Sequence, residues 1–174
     1  MSVQSAIANL DAEIIVVDNN SSDNSVSMVQ EKFPNLKFIP NKENVGFPKG
    51  NNIAVDFSEG NYVCILNPDT VVAEDTFVKL LHFAESKKNL GIVGCRLIDG
   101  AGNFLPESKR GTPTPWVAIT KVLGLYKFFP SNLAFNQYYA QHVDEFEVEK
   151  VDILVGAFMF LKKEVYQELG GFDE

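Results

Sequence analysis

Glu13-Ile14-Ile15-Val16-Val17-Asp18-Asn19-Asn20-Ser21 is the stretch on which the fold reading turns. A short β-branched run that breaks off into polar residues reads as a strand buried on both faces, hence central in a sheet. Next, Ser21-Ser22-Asp23-Asn24-Ser25 offers several N-cap residues, after which Val26, Val29 and Phe33 share one helical face until Pro34 stops the pattern. The repeating unit is therefore strand, polar turn, helix.

Working outward, the unit recurs. Residues 36–39 alternate as a strand should, and residues 48–58 gather Ile53, Ala54 and Phe57 on one helical face before Gly60, which can end the helix. Tyr62–Leu66 is a third apolar run. Residues 74–88 then place Phe77, Leu80, Leu81 and Ala84 at helical spacing, with acids first and lysines last as the helix dipole prefers. Residues 92–98 read as a fourth strand.

This alternation predicts an α/β fold with a mostly parallel sheet flanked by helices, whose ligands lie beyond the carboxyl ends of the strands. Asp99-Gly100-Ala101-Gly102-Asn103 is a hairpin-type turn, and residues 99–150, rich in Pro and aromatics, read as an irregular insertion over the site. Regularity returns with a strand over residues 151–161 and a helix over 162–169 ended by Gly170-Gly171.

A chain of 174 residues suits one core, so a single domain over residues 1–174 is expected. Its 45% hydrophobic and 22% charged residues are those of an ordinary globular protein. The net charge of −8 gives no long-range field that gathers polynucleotide, so nucleic acid is not an expected partner. A nucleotide diphosphate remains open, provided a divalent cation or backbone amides meet its charge. Cys64 and Cys95 each sit in an apolar run, as buried structural thiols do, which fits a reducing cytoplasm. The N-terminus lacks the basic start and apolar stretch of a signal peptide, and the apolar residues 116–130 are interrupted by Lys121 and Lys127.

Three polar segments follow strands. Asp18 can accept hydrogen bonds from a base or ribose, although an Asx turn capping the next helix explains it locally. Asn44-Val45-Gly46-Phe47-Pro48-Lys49-Gly50-Asn51-Asn52 can bring backbone and amides close to a diphosphate, or can be a plain glycine-rich connector. It lacks the Gly-x-Gly-x-x-Gly pattern and the P-loop ending. Asn67-Pro68-Asp69-Thr70 presents the Asp69 carboxylate at a sheet edge, where a hard cation could use it; an ordinary Pro-Asp turn is the alternative. No nucleophile elbow, Cys/His pair or His cluster supports covalent catalysis.

Taken together, residues 14–25, Asn44-Val45-Gly46-Phe47, Gly50-Asn51-Asn52 and Leu66-Asn67-Pro68-Asp69-Thr70 resemble the family 2 glycosyltransferases of GT-A fold, in particular their rhamnosyltransferase-like members. Val155-Gly156-Ala157-Phe158-Met159-Phe160 and Gly170-Gly171-Phe172-Asp173-Glu174 are similar to the same family's acceptor-side segment. The resemblance implies transfer of a sugar from a nucleotide-diphosphate donor to an acceptor hydroxyl with inversion, in bacterial cell-surface polysaccharide synthesis. The acceptor would be a saccharide or lipid-linked saccharide.

On that resemblance the donor is held by Asp18, Asn20, Asn44, Gly46, Gly50, Asn51, Asn67 and Asp69, with Arg110 as a guanidinium suited to phosphate. Asn67 stands where the family carries the first Asp of its metal motif, so Asp69 alone would ligate Mg or Mn. The family's base comes shortly after the Gly-Gly-Phe-Asp-Glu segment, which leaves Asp173 and Glu174 as the candidates within this sequence. The family's first strand is missing from residues 1–10, so a chain truncated at both ends is expected. The aromatic residues 116–139 either pack over the sheet or meet a lipid-linked acceptor or membrane surface, which would place the protein in the cytoplasm, peripherally at the inner membrane face. A catalytically silent nucleotide-sugar-binding fragment and a sugar nucleotidyltransferase are the alternatives.

Overall fold

The computed structural model describes residues 1–105, 109–110, 147–151 and 153–174. The elements are α1 (Ser2–Ala6), β1 (Ile15–Asp18), α2 (Ser25–Lys32), β2 (Lys37–Pro40), α3 (Gly46–Phe57), β3 (Tyr62–Leu66), α4 (Thr76–Glu85), β4 (Ile92–Val93), β5 (Lys109–Arg110), β6 (Ile153–Leu154), β7 (Phe158–Lys162) and α5 (Lys163–Glu168). Strand and helix thus alternate from β1 to β4 as the sequence pattern requires, and the class is α/β.

β1 and β2 pair in parallel, from Ile15 opposite Lys37 to Asp18 opposite Pro40. Parallel neighbours need a crossover, and α2 supplies it. The Asn41 amide extends the ladder by donating to the Asp18 carbonyl at 2.8 Å. At the amino ends of the pair, Lys37 Nζ lies 2.7 Å from Glu13 Oε2 and 2.7 Å from Glu59 Oε1, so one ammonium ties the two strands to the segment that follows α3. The Glu59 amide also donates to Glu13.

The central position expected of β1 is corrected: among the described strands it pairs only with β2, and Ile15, Val16 and Val17 are half-buried. A second sheet has the order β3-β7-β4. There β7 runs antiparallel to β4, with Ile92 opposite Leu161 and Val93 opposite Phe160. The described pairings therefore have both senses. The parallel sense holds where a helix intervenes, and the antiparallel sense enters where the chain returns after residue 93, because antiparallel neighbours need no helical crossover.

Two predicted strands are shorter than their apolar runs. The run over residues 92–98 leaves the ladder at Gly94, whose bare Cα accommodates Leu154; a Cβ there would stand 2.7 Å from Leu154 Cδ2. The run over residues 151–161 splits into β6 and β7 around a turn at Gly156-Ala157, where glycine interrupts the extended backbone.

The chain divides into two units, Met1–Val93 with Phe160–Glu174, and Gly94–Met159. The first has its own core: Ala6 of α1, Val55 of α3, Val63 and Ile65 of β3, Val72, Phe77, Leu80 and Ala84 of the α4 region, Phe160 and Leu161 of β7, and Tyr166 of α5. Val63 and Ile65 alternate with half-buried neighbours, as a strand covered on one face requires. Tyr62 and Phe160 stack with ring centroids 5.3 Å apart. The predicted apolar face of α3 is rotated, since Gly50 and Val55 are buried and Phe57 is 62% exposed. That helix starts at Gly46, two residues earlier than read, and ends at Phe57, which turns outward. No residue of α2 is buried.

In the second unit the expected hairpin is present. Ile98 bridges Phe104 in antiparallel sense, and the Asp99 carboxylate accepts from the Ala101 and Asn103 amides at 2.8 and 2.9 Å. β5 and β6 pair antiparallel. Most of the predicted insertion, including residues 116–139, lies outside the described residues. No helix among the described residues is long and apolar enough to cross a membrane.

Candidate active site

The carboxyl ends of β1 and β2 meet the start of α3, and polar side chains join them. Asp18 ends β1 and is the buried charged residue of the region, 9% exposed. Both its carboxylate oxygens accept from Ser21, one from the backbone amide at 3.0 Å and one from the hydroxyl. The local Asx turn read from the sequence is thus present. A carboxylate offers about four acceptor positions, so a turn that uses two leaves capacity for a ligand. The chain escapes the turn through Asn20, which is left-handed at φ 63 and exposed. Asn tolerates that conformation better than other non-glycine residues. Its contribution is therefore backbone shape.

Asn19, which the sequence reading passed over, is the hub. Its Nδ2 donates to the Gly46 carbonyl at 3.0 Å, and its Oδ1 accepts from Asn41 Nδ2 at 2.9 Å. One amide therefore links the end of β1, the end of β2 and the first residue of α3. Gly50 is buried against it, and a Cβ at Gly50 would lie 3.3 Å from both Asn19 Nδ2 and Oδ1. The glycine is needed for this close approach. A residue one step past a strand, between Asp18 and Asn20, was a signal for such a hub, but two adjacent asparagines alone did not say which of them points inward.

Asn44 shapes the entry to α3. Its Oδ1 accepts from the Gly46 amide at 3.0 Å, and Gly46 sits at φ 80. Asn51 is turned back on its own helix, Nδ2 donating to the Phe47 carbonyl at 2.8 Å. The Asn44 to Gly50 segment is thus a structured helix entry with backbone amides at its first turn.

Asn67 and Asp69 lie in a turn closed by Thr70, whose amide and hydroxyl donate to the Asn67 carbonyl at 3.2 and 2.7 Å. Pro68 takes the turn position that its fixed φ favours. Asp69 is exposed at the tip and has no hydrogen-bond or ion-pair partner among the described residues. Such a carboxylate is available to a hard cation. Among the described residues no group of three or more His, Cys, Asp and Glu could hold a metal, so an ion at Asp69 would take its other ligands from phosphate oxygens and water. The ordinary Pro-Asp turn read from the sequence is thus present, and α4 begins only at Thr76 with Asp75 at its cap.

The Gly170-Gly171 turn returns the chain to α3. Both glycines have positive φ, 82 and 79. Phe172 packs on Phe47 with ring centroids 5.6 Å apart and edge-on to Tyr166 at 5.7 Å. Glu174 is engaged, Oε1 accepting from Asn52 Nδ2 at 3.2 Å and Oε2 lying 3.6 Å from Lys49 Nζ. Asp173 is exposed without a partner among the described residues. Arg110 lies in β5, its backbone opposite Ile153; its side chain is outside the described residues. Cys64 and Cys95 form no disulfide, and burial pushes the Cys95 thiol up to about 11, as befits a structural residue.

The chain spans about half the length, or less, of the first curated relatives it matches. One is the minor teichoic acid biosynthesis protein GgaB of Bacillus subtilis, 34% identical over 80 residues that cover 44% of this chain and 9% of that protein. Another is the N-acetylglucosaminyl-diphospho-decaprenol L-rhamnosyltransferase of Mycobacterium tuberculosis, 24% identical over 172 residues, or 92% of this chain and 55% of that enzyme. The rhamnosyltransferase WbbL of Escherichia coli is 25% identical over 185 residues, covering 99% of this chain and 66% of WbbL. The sequence model described as Glycosyl transferase family 2 matches residues 2–170, a span that takes in Asp18, the Asn19 hub, the glycine-rich entry to α3 and the Asp69 turn. A match of that extent shows that the chain belongs to glycosyl transferase family 2.

Proposed function

We propose that this chain is a GT-A-type glycosyltransferase domain, working as one domain over residues 1–174, that moves a sugar from a nucleotide diphosphate to an acceptor hydroxyl with inversion. The observation that carries the reading is the Asn19 hub. It holds the ends of β1 and β2 against the glycine-rich start of α3, beside the Asp18 carboxylate. Carboxyl ends of parallel strands are where α/β folds bind ligands, and a helix entry offers amides to phosphate. Asp18 would meet the base or ribose; Asn20, Asn44, Gly46, Gly50, Asn51, Asn67 and Arg110 belong to the donor side.

Asp69 would hold Mg or Mn on the diphosphate, and the ion would neutralise the leaving group. The family's base follows the Gly-Gly-Phe-Asp-Glu segment, and within this sequence Asp173, exposed without a partner among the described residues, and the engaged Glu174 are the fallback candidates to take the acceptor proton. The acceptor class, a saccharide or lipid-linked saccharide of a bacterial surface polymer, draws on the decaprenol-linked and teichoic acid roles in the relatives' names. Such an acceptor would bring a cytoplasmic protein to the inner face of the membrane.

The test is calorimetric titration of a nucleoside diphosphate panel, with and without Mn, into wild type and Asp69→Ala. Metal-dependent binding that Asp69→Ala abolishes is expected. Absence of nucleotide binding, or metal dependence untouched by Asp69→Ala, would sink the assignment. Turnover of the corresponding nucleoside-diphosphate sugars separates the enzyme from a silent binding module.

A further inference from the structure

Asn52, which the donor reading does not use, has all the hydrogen-bonding capacity of its amide spent on one segment. Its Oδ1 accepts from the Tyr166 hydroxyl at 2.6 Å and from the Phe172 amide at 2.9 Å. Its Nδ2 donates to the Phe172 carbonyl at 3.0 Å and to Glu174 Oε1 at 3.2 Å. An amide has two acceptor lone pairs and two donor hydrogens, so all four are satisfied. The Phe172 amide can only donate and its carbonyl can only accept, so the amide orientation is fixed by its partners.

The surroundings are built to this contact. Gly171, at φ 79, is bare where a Cβ would lie 2.5 Å from Asn52 Oδ1. Its amide donates to the Tyr166 carbonyl at 3.0 Å, closing the turn. At the other end of α5, Lys163 donates through its backbone to Asn61 at 2.9 Å and through Nζ to the Ser58 carbonyl at 2.5 Å. α5 is therefore latched to α3 and the residues after it at both ends. One turn before Asn52 on α3, Lys49 faces Glu174.

We infer that Asn52 is a positioning residue: it fixes residues 171–174 on α3, and so sets the carboxylates of Asp173 and Glu174 relative to the Asn44 to Gly50 entry of the same helix. The inference deepens the proposed function and rests on it for the meaning of the two carboxylates; the latch itself rests only on the contacts. Aspartate at this position keeps the acceptor oxygen but loses both donors and faces Glu174 with a like charge. Alanine loses everything.

Amide hydrogen exchange on the whole chain tests the latch. In Asn52→Ala the Phe172 amide should exchange at least about tenfold faster, the worth of one lost hydrogen bond, while the Asn41 amide, bonded to Asp18 in the β1–β2 ladder, stays within about threefold. In Asn52→Asp the Phe172 amide should remain protected to within about threefold of wild type. An unchanged Phe172 amide in Asn52→Ala, a loss shared equally by Asn41, or an Asn52→Asp variant as unprotected as Asn52→Ala would each overturn the inference. The functional arm uses UDP and dTDP with Mn: Asn52→Ala should bind them within about threefold of wild type while donor-sugar turnover falls by about tenfold or more in kcat. A parallel fall in nucleotide affinity would overturn the positioning role. If wild type binds neither nucleotide, the donor reading fails, and the exchange arm still decides on Asn52.

Discussion

Gly50→Ala should change sign with the residue at position 19. Alanine in a helix interior is favoured over glycine by about 0.5–1 kcal/mol. Here the new Cβ would stand 3.3 Å from both polar atoms of the Asn19 amide. Relief requires Asn19 to move by a few tenths of an ångström, and it is pinned from both sides, at 3.0 Å to the Gly46 carbonyl and 2.9 Å from Asn41 Nδ2. Overpacking of that kind costs about 1–2 kcal/mol, so Gly50→Ala alone should be neutral to destabilising by about 1 kcal/mol. Asn19→Ala removes two neutral hydrogen bonds and should cost about 2 kcal/mol. In that background nothing opposes the new methyl, and Gly50→Ala should stabilise by about 0.5–1 kcal/mol. The coupling is therefore about 1–2 kcal/mol, measurable from urea denaturation of the four proteins in a double-mutant cycle. Additivity to within about 0.5 kcal/mol would refute the hub.

Further outcomes can be measured on the same protein. Gly171→Ala should destabilise more than Gly170→Ala in thermal melts: both positions have positive φ, but only at 171 does a Cβ meet Asn52, while nothing lies within 4 Å of one at 170. Burial raises the pKa of Glu13, but hydrogen bonds from Lys37 and from the Glu59 and Gly60 backbone, with the Lys37 charge, outweigh it and leave the group below its ordinary value. A carboxyl depressed on folding stabilises above its unfolded pKa and stops doing so as pH falls through the folded one. Melting between about pH 5 and pH 3 should therefore show a steeper loss in wild type than in Glu13→Gln. In a Cys64→Ser background, Cys95, with its thiol pushed up to about 11, should be labelled by a disulfide reagent at pH 8 about a hundredfold more slowly folded than in urea.

The strand and helix alternation was legible because apolar periodicity is a local property: β1, β3 and α4 fall within their predicted runs apart from Asp18, which extends β1 by one residue. Lengths were less legible, since Gly94 and the Gly156 turn end strands for reasons set by Leu154 and by the backbone rather than by hydropathy. Pairing sense depends on where a distant segment returns, and nothing in the β4 run states that β7 will lie against it reversed. The three polar loops do follow strands, and the Asn19 hub joins the first two of them. Which asparagine of the first loop joins the network was hidden, because Asn19 and Asn20 are the same residue type with opposite geometry, one half-buried in a network and the other a left-handed corner. Asn52 and Phe172 are 120 residues apart, and no local pattern announces that they meet.

The β1–β2 pair is fastened differently at its two ends. Away from the Asp18 end, Lys37 holds Glu13 and Glu59 through charge; beside Asp18, Asn19 holds Asn41 and Gly46 through uncharged amides. Screening shortens from about 10 Å at 0.1 M salt to about 3 Å at 1 M, which weakens exposed charge pairs and leaves amide bonds alone. Rising ionic strength should loosen this pair from the end remote from the Asn19 hub. On the proposed function, the hub end would then meet donor phosphates and their counterions without its own fastening competing for them.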